Sequence, residues 1–141
     1  MKPSKVADIM VRNVITCQAD DTLAEARRLM GEHQIRHIPV VNTEGQLIGL
    51  VTQKSVLRET FIIASRFGMS DLEYQENKKL VADIMETGLE TIQPLLPLLE
   101  AGRYFTECKH GCLPVVDEGK VVGILTSADF VKLSVRLLEA E

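Results

Sequence analysis

Apolar residues recur along this chain in two rhythms, and the rhythms come in the same order twice. LAEARRLMGEH places Leu23, Ala26 and Met30 at helical spacing behind the acceptors Asp20, Asp21 and Thr22, which predicts a helix capped at that cluster. The matching helix further on opens at Pro97, expected in the first turn, where its missing N–H costs little. IPVV and QLIGLVT, like LPVV and KVVGILT, are short branched runs around a polar turn holding Gly45 or Gly119, and predict two antiparallel strands joined by a hairpin. KSVLRETFIIASRF and SADFVKLSVRLLEA return to steps of three and four and predict a closing helix. With a short strand expected at NVIT and at LETI, each copy reads as a β-α-β-β-α unit.

The register of the two copies is fixed by near-identical words. VADIM at Val6 to Met10 returns at Val81 to Met85, an offset of 75, and HIPVVN at His37 returns as CLPVVD at Cys112 with the same offset. After one deletion in the turn, Gly49 and Gly123 stand 74 apart, as do Thr52 and Thr126. The chain is a tandem repeat, residues 6–60 and 81–136, joined by a helical extension and linker over 61–80. In the joining stretch, FIIASRFGM is expected to lengthen a helix and SDLEYQENKK to form a polar linker. A unit of about 55 to 60 residues is too small to be comfortable alone, so the two should share their buried faces.

Composition narrows the function. The chain has 141 residues, 45% hydrophobic and 26% charged, with 16 basic against 20 acidic side chains for a formal charge of -4. That field disfavours a polyanion, so nucleic acid is not an expected partner. No apolar run approaches the roughly 20 residues needed to span a bilayer, so no membrane partner is expected either. Three cysteines do not make a disulfide framework and no secretory signal precedes Val6, which points to the cytoplasm.

Metal and catalytic readings are weaker. CKHGC brings Cys108, His110 and Cys112 close in sequence, but with no second pair at zinc-site spacing no metal is expected. His33 and His37 read as a helix-end and a strand-edge residue. There is no nucleophile elbow, HExxH or paired acid and base, and the glycines at 45, 49, 119 and 123 suit turns and close packing, not a Walker or dinucleotide loop. No enzyme activity and no cofactor are expected.

Together the recurring VADIM, the helix with Ala26 or Ala101, the IPVV or LPVV strand, the glycine hairpin and the closing G-apolar-apolar-T resemble a pair of cystathionine-β-synthase (CBS) domains, over about Val6 to Leu133. The order of these motifs, repeated at matching spacing, carries the likeness. It implies an α+β fold of tandem β-α-β-β-α repeats packed as a pseudo-two-fold CBS pair. Two clefts between the repeats would hold AMP, ADP or ATP, or S-adenosylmethionine. It also implies a regulatory module signalling to another protein, which the sequence does not name. The alternative is a dimerising scaffold with empty or degenerate clefts.

The copies differ at one chemically telling position: the second ends GILTSADF where the first ends GLVTQKSV. A carboxylate at a helix start can accept from both hydroxyls of a ribose, while the threonine hydroxyl and the free N–H groups of the first turn face phosphates. Thr126 and Asp129 supply that pattern, although T-x-x-D is also a plain capping arrangement. The resemblance places the base against the other repeat. Ile15, Ile35 and Arg36 would serve the cleft of Ile124, Thr126 and Asp129, and Glu90, His110 and Gly111 the cleft of Leu50, Thr52 and Ser55. A guanidinium at Arg36 can take phosphate oxygens in pairs. With Ser55 in place of a carboxylate, the second cleft is expected to be weaker by about 1 to 2 kcal/mol, with Lys54 offsetting part of this at the phosphates. A homodimer is expected through apolar residues facing outward, with Val56, Phe61, Phe130, Val131 and Leu137 as candidates.

Overall fold

The computed structural model describes residues 2–108 and 111–141. Its elements are α1 (Leu23–His33), β1 (His37–Val41), β2 (Leu47–Thr52), α2 (Gln53–Phe67), α3 (Leu72–Glu76), α4 (Leu98–Glu107), β3 (Cys112–Asp117), β4 (Lys120–Thr126) and α5 (Ser127–Glu139). Single 3-10 turns stand at Val6–Asp8, Met69–Asp71 and Val81–Asp83. This is the α+β class, in two like halves, that the pattern predicts. Among the described residues no helix is long and apolar enough to cross a membrane.

The chain divides into two compact units, Ile15–Leu89 and Met1–Val14 with Glu90–Glu141. These units do not follow the repeats. The first VADIM segment belongs with the strands of the second copy, and the second VADIM segment with those of the first.

In the Ile15–Leu89 unit, Thr22 caps α1 by accepting from Glu25 N at 3.2 Å, and Leu23, Ala26 and Met30 form its buried stripe. β1 and β2 pair with His37 opposite Thr52. Their turn is held by Asn42 Oδ1, which accepts from Glu44 N and Gln46 N at 3.0 Å. Val56 and Ile63 of α2 join Ile38, Val40 and Val51 in the core, which Val81 and Ile84 complete. In the other unit β3 and β4 pair with Cys112 opposite Thr126. The one-residue deletion leaves Glu118 and Gly119 at φ 53° and 82°, a two-residue hairpin turn. Val6, Met10, Ala101, Val115 and Leu125 form that core, with Phe105 edge-on to Phe130 at 5.6 Å.

The strands expected at NVIT and LETI are not formed, and proline is the reason. Leu50 exchanges both of its backbone bonds with Glu86, at 3.0 and 2.8 Å, so its neighbour Pro39 turns N and O to the opposite edge. There Cys17 N donates to Pro39 O at 3.1 Å and Val41 N to Cys17 O at 2.9 Å. The next rung would need an N–H on Pro39 for the carbonyl of Ile15, and proline has none. Pro114 acts identically on the other hairpin: Ile92 makes both bonds, at 3.1 and 2.8 Å, and the carbonyl of Glu90 is left out. Each predicted strand shrinks to a one-residue parallel bridge, at Cys17 or Ile92.

Close packing explains why the VADIM methionine and the strand glycine recur together. A Cβ on Gly49 would stand 2.6 Å from Met85 Sδ and 3.1 Å from the Glu86 carbonyl; on Gly123 it would stand 2.6 Å from Met10 Sδ and 3.1 Å from the Val11 carbonyl. Any side chain there would push the VADIM segment off its sheet edge.

Other expectations shift. Pro97 is the residue before α4, not in its first turn, and the Leu98 N–H it leaves free goes to Ser4 O at 2.9 Å. The expected polar linker contains α3, because Glu76 is buried and accepts from Arg27 at 2.6 Å and from Thr60 Oγ1 at 2.8 Å. Val56 lies in the core of its own unit and Phe130 packs against the core of the other, so the outward apolar set reduces to Phe61, Val131 and Leu137.

Candidate functional site

The start of α5 is built by strand β4 running straight into the helix. Asp129, in the first turn, accepts at Oδ2 from Thr126 N at 2.8 Å and from Thr126 Oγ1 at 3.2 Å. Asp129 is only 6% exposed, yet Oδ1 makes no hydrogen bond among the described residues. Ile124 is buried in β4 and bonded on both sides of its peptide to Val11. Ser127 N donates to Gly111 O at 3.1 Å, which ties the chain before β3 to this turn. Glu90 is exposed beyond the Ile92 bridge, and His110 lies outside the described residues.

The start of α2 repeats the plan with another outcome. Thr52 Oγ1 accepts from Ser55 N at 3.1 Å, and Ser55 Oγ donates to Thr52 O at 2.9 Å while Thr52 N points to it at 3.3 Å. Ser55 is buried and its hydroxyl is fully engaged. Gln53 N donates to Arg36 O at 2.8 Å, so the Arg36 backbone is fixed at this turn while its guanidinium is exposed. Ile15 and Ile35 are half-buried in the same unit as Leu50, Thr52 and Ser55. Glu90, Gly111, Ile124, Thr126 and Asp129 share the other unit, so each predicted set draws on both.

Beside Asp129 a cavity of about 580 Å³ is walled by Ile9, Val131 and Val135 and edged by Lys132 and Arg136. These two cations were missed by sequence reading. Their signal was the spacing on α5, three and seven residues after Asp129, which puts all three on one face. Burial, and then the Asp129 charge, push the Cys112 thiol up to about 12, and burial does the same to Cys17. His37, opposite Thr52, is held below the ordinary histidine range by burial and by Arg36 beside it. Among the described residues no three His, Cys, Asp or Glu side chains converge as a metal site.

A profile of the CBS domain matches residues 6–61 and again residues 81–136, the repeat whose two helix starts these are. The chain belongs to the CBS-domain family. This CBS pair is similar to AcuB of Vibrio cholerae, with a TM-score of 0.82 at 32% identity over 99% of this chain and 95% of that one. It is similar to CBSX2 of Arabidopsis thaliana in complex with AMP, TM-score 0.79 at 26% identity, covering 96% and 98% of the two chains. It is also similar to a CBS domain pair in complex with 5′-methylthioadenosine and S-adenosyl-L-methionine, TM-score 0.78 at 26% identity, covering 96% and 99%. The CBS pair spans 32%, 42% and 93% of the lengths of the first curated relatives it matches.

Proposed function

We propose that this CBS pair is a cytoplasmic regulatory module that binds an adenosine ligand, an adenine nucleotide or S-adenosylmethionine, and signals its presence to a partner protein. The observation that carries this reading is Asp129. One oxygen holds the helix cap and the other keeps its acceptor capacity in a nearly buried carboxylate on a cavity wall, a fit for a ribose hydroxyl. Ile124 and Thr126 complete that part of the site. The Ile15 carbonyl, which Pro39 leaves without a partner among the described residues, is a fit for an amino donor such as that of adenine, and the assignment of Ile35 and Arg36 to the same ligand follows the family resemblance. Relatives of this fold hold AMP, or methylthioadenosine with S-adenosylmethionine.

Binding, not catalysis, suits the remaining chemistry. Buried thiols held near 12 stay protonated at neutral pH and are poor nucleophiles. The weaker set, Leu50, Thr52 and Ser55 with Glu90, His110 and Gly111, centres on a hydroxyl already engaged, which favours the scaffold reading for that copy alone. Phe61, Val131 and Leu137, at 74%, 62% and 43% exposed, are offered to a second copy of the chain.

Titration calorimetry with AMP, ATP and S-adenosylmethionine, backed by thermal melts, tests the reading. A ligand at about 100 times its Kd adds about 2.7 kcal/mol, which should raise Tm by about 5 to 10 °C. No heat and no shift with any of them at millimolar concentration would overturn it.

A further inference from the structure

The last turns of α2 and the chain leaving α3 enclose a cavity of about 410 Å³ in residues that mostly lie beyond the family match, which stops at 61 and resumes at 81. Its apolar wall is Ile62, Ile63 and Phe67; its rim is Arg66, Lys78 and Lys79, with Glu59 the one carboxylate. Lys79 Nζ stands 3.8 Å from Glu59 Oε1, a loose pair. Arg66 and Lys78 have no carboxylate within salt-bridge distance among the described residues. Arg66, Lys79 and Lys78, whose Nζ lies 5.0 Å over the Tyr74 ring, thus outnumber the one lining carboxylate and the roughly half charge at the C-terminal end of α2, so the rim is positive in a chain of net charge -4.

The rim is also held in place. Lys78 N and Lys79 N both donate to Gln75 O, at 3.1 and 3.2 Å, Gln75 Nε2 donates to Asp71 Oδ2 at 2.9 Å, and Lys79 O accepts from Leu23 N at 2.8 Å. Leu57 and Phe61 project from the opposite side of α2, at about 100° per residue, so a dimer formed on Phe61 leaves the cavity open.

We infer that this cavity binds a small organic anion, a phosphate monoester or a carboxylate on an apolar body. The guanidinium of Arg66 and the ammonium groups of Lys78 and Lys79 take the head group, and Ile62, Ile63 and Phe67 take the body. The site shares no lining residue with the Asp129 cavity and does not depend on what binds there.

The full chain, labelled with ¹⁵N, is titrated with phenyl phosphate, benzoate, inorganic phosphate and benzyl alcohol while the amides of Arg66, Phe67, Lys78 and Lys79 are followed. Phenyl phosphate or benzoate should saturate these shifts at least about tenfold more tightly than inorganic phosphate or benzyl alcohol, and the tighter of the two names the head group. Arg66→Gln with Lys78→Gln should weaken that binding at least about tenfold, with Lys5→Gln as the control and unchanged melts showing that both variants fold. The inference falls if neither aromatic anion saturates by about 10 mM, if benzyl alcohol binds as well, or if the double variant binds unchanged.

Discussion

At the head of α2 the serine hydroxyl gives its proton to Thr52 O at 2.9 Å and faces Thr52 N at 3.3 Å, so the cap closes on itself. At the head of α5 the aspartate takes Thr126 N at 2.8 Å and Thr126 Oγ1 at 3.2 Å through a single oxygen and has another to spare. The frame around the two is matched. His37 faces Thr52 as Cys112 faces Thr126, Arg36 O takes the first helical N–H as Gly111 O does, and a VADIM methionine covers the strand glycine in each. Both residues stand at the third helical position, and each reaches back to the backbone N–H of the threonine that begins its helix. The difference is an unused charged acceptor, which matters only to a third molecule.

If the frames are as alike as their geometry, damaging them should cost the same. Gly49→Val and Gly123→Val each drive a side chain into a VADIM methionine and a backbone carbonyl, and should each cost about 2 to 3 kcal/mol by overpacking, or about 5 to 10 °C in Tm. Denaturant melts that differ by more than about 1.5 kcal/mol between the two would break the equivalence.

The ligand chemistry should separate where the frames do not. Asp129→Ala should weaken AMP about five- to thirtyfold, or about 1 to 2 kcal/mol, and Ser55→Ala should leave the tight site unchanged. Ser55→Asp sharpens the contrast by adding the missing carboxylate, and should strengthen the weaker site. Calorimetry in which Ser55→Ala removes the tight site and Asp129→Ala spares it would reverse the assignment.

The smallest contrast concerns pH at the residue opposite each threonine. The folded value of His37 lies below 6.5, chiefly through burial, so between the two values the unfolded chain binds more protons. The stability His37 contributes is present above pH 6.5 and is lost as pH falls through the folded value. Cys112 at the matched place, pushed up to about 12, has no part in this acid limb. His37→Gln should reduce the loss of Tm between about pH 7.5 and about pH 5. An acid limb unchanged in the variant would assign it to other groups.

The repeat, the helices, the hairpins and the turn at Thr126 and Asp129 were legible in the sequence because each rests on local rules: apolar spacing, turn glycines and a cap residue next to the helix it caps. The same words, read locally, also hold the Ser55 and Asp129 difference. What stayed hidden depends on partners distant along the chain. The strand expected at NVIT fails because Pro39, more than twenty residues on, faces it without an N–H. LEYQE becomes a helix because Arg27 and Thr60 come to Glu76, and the VADIM segments belong with the opposite copy's strands because only there do Met10 and Met85 meet a glycine. Local spacing fixes which elements form. Which segments fill one another's gaps and satisfy one another's backbone is decided only when the chain is folded, since close packing and hydrogen bonding act between neighbours in space.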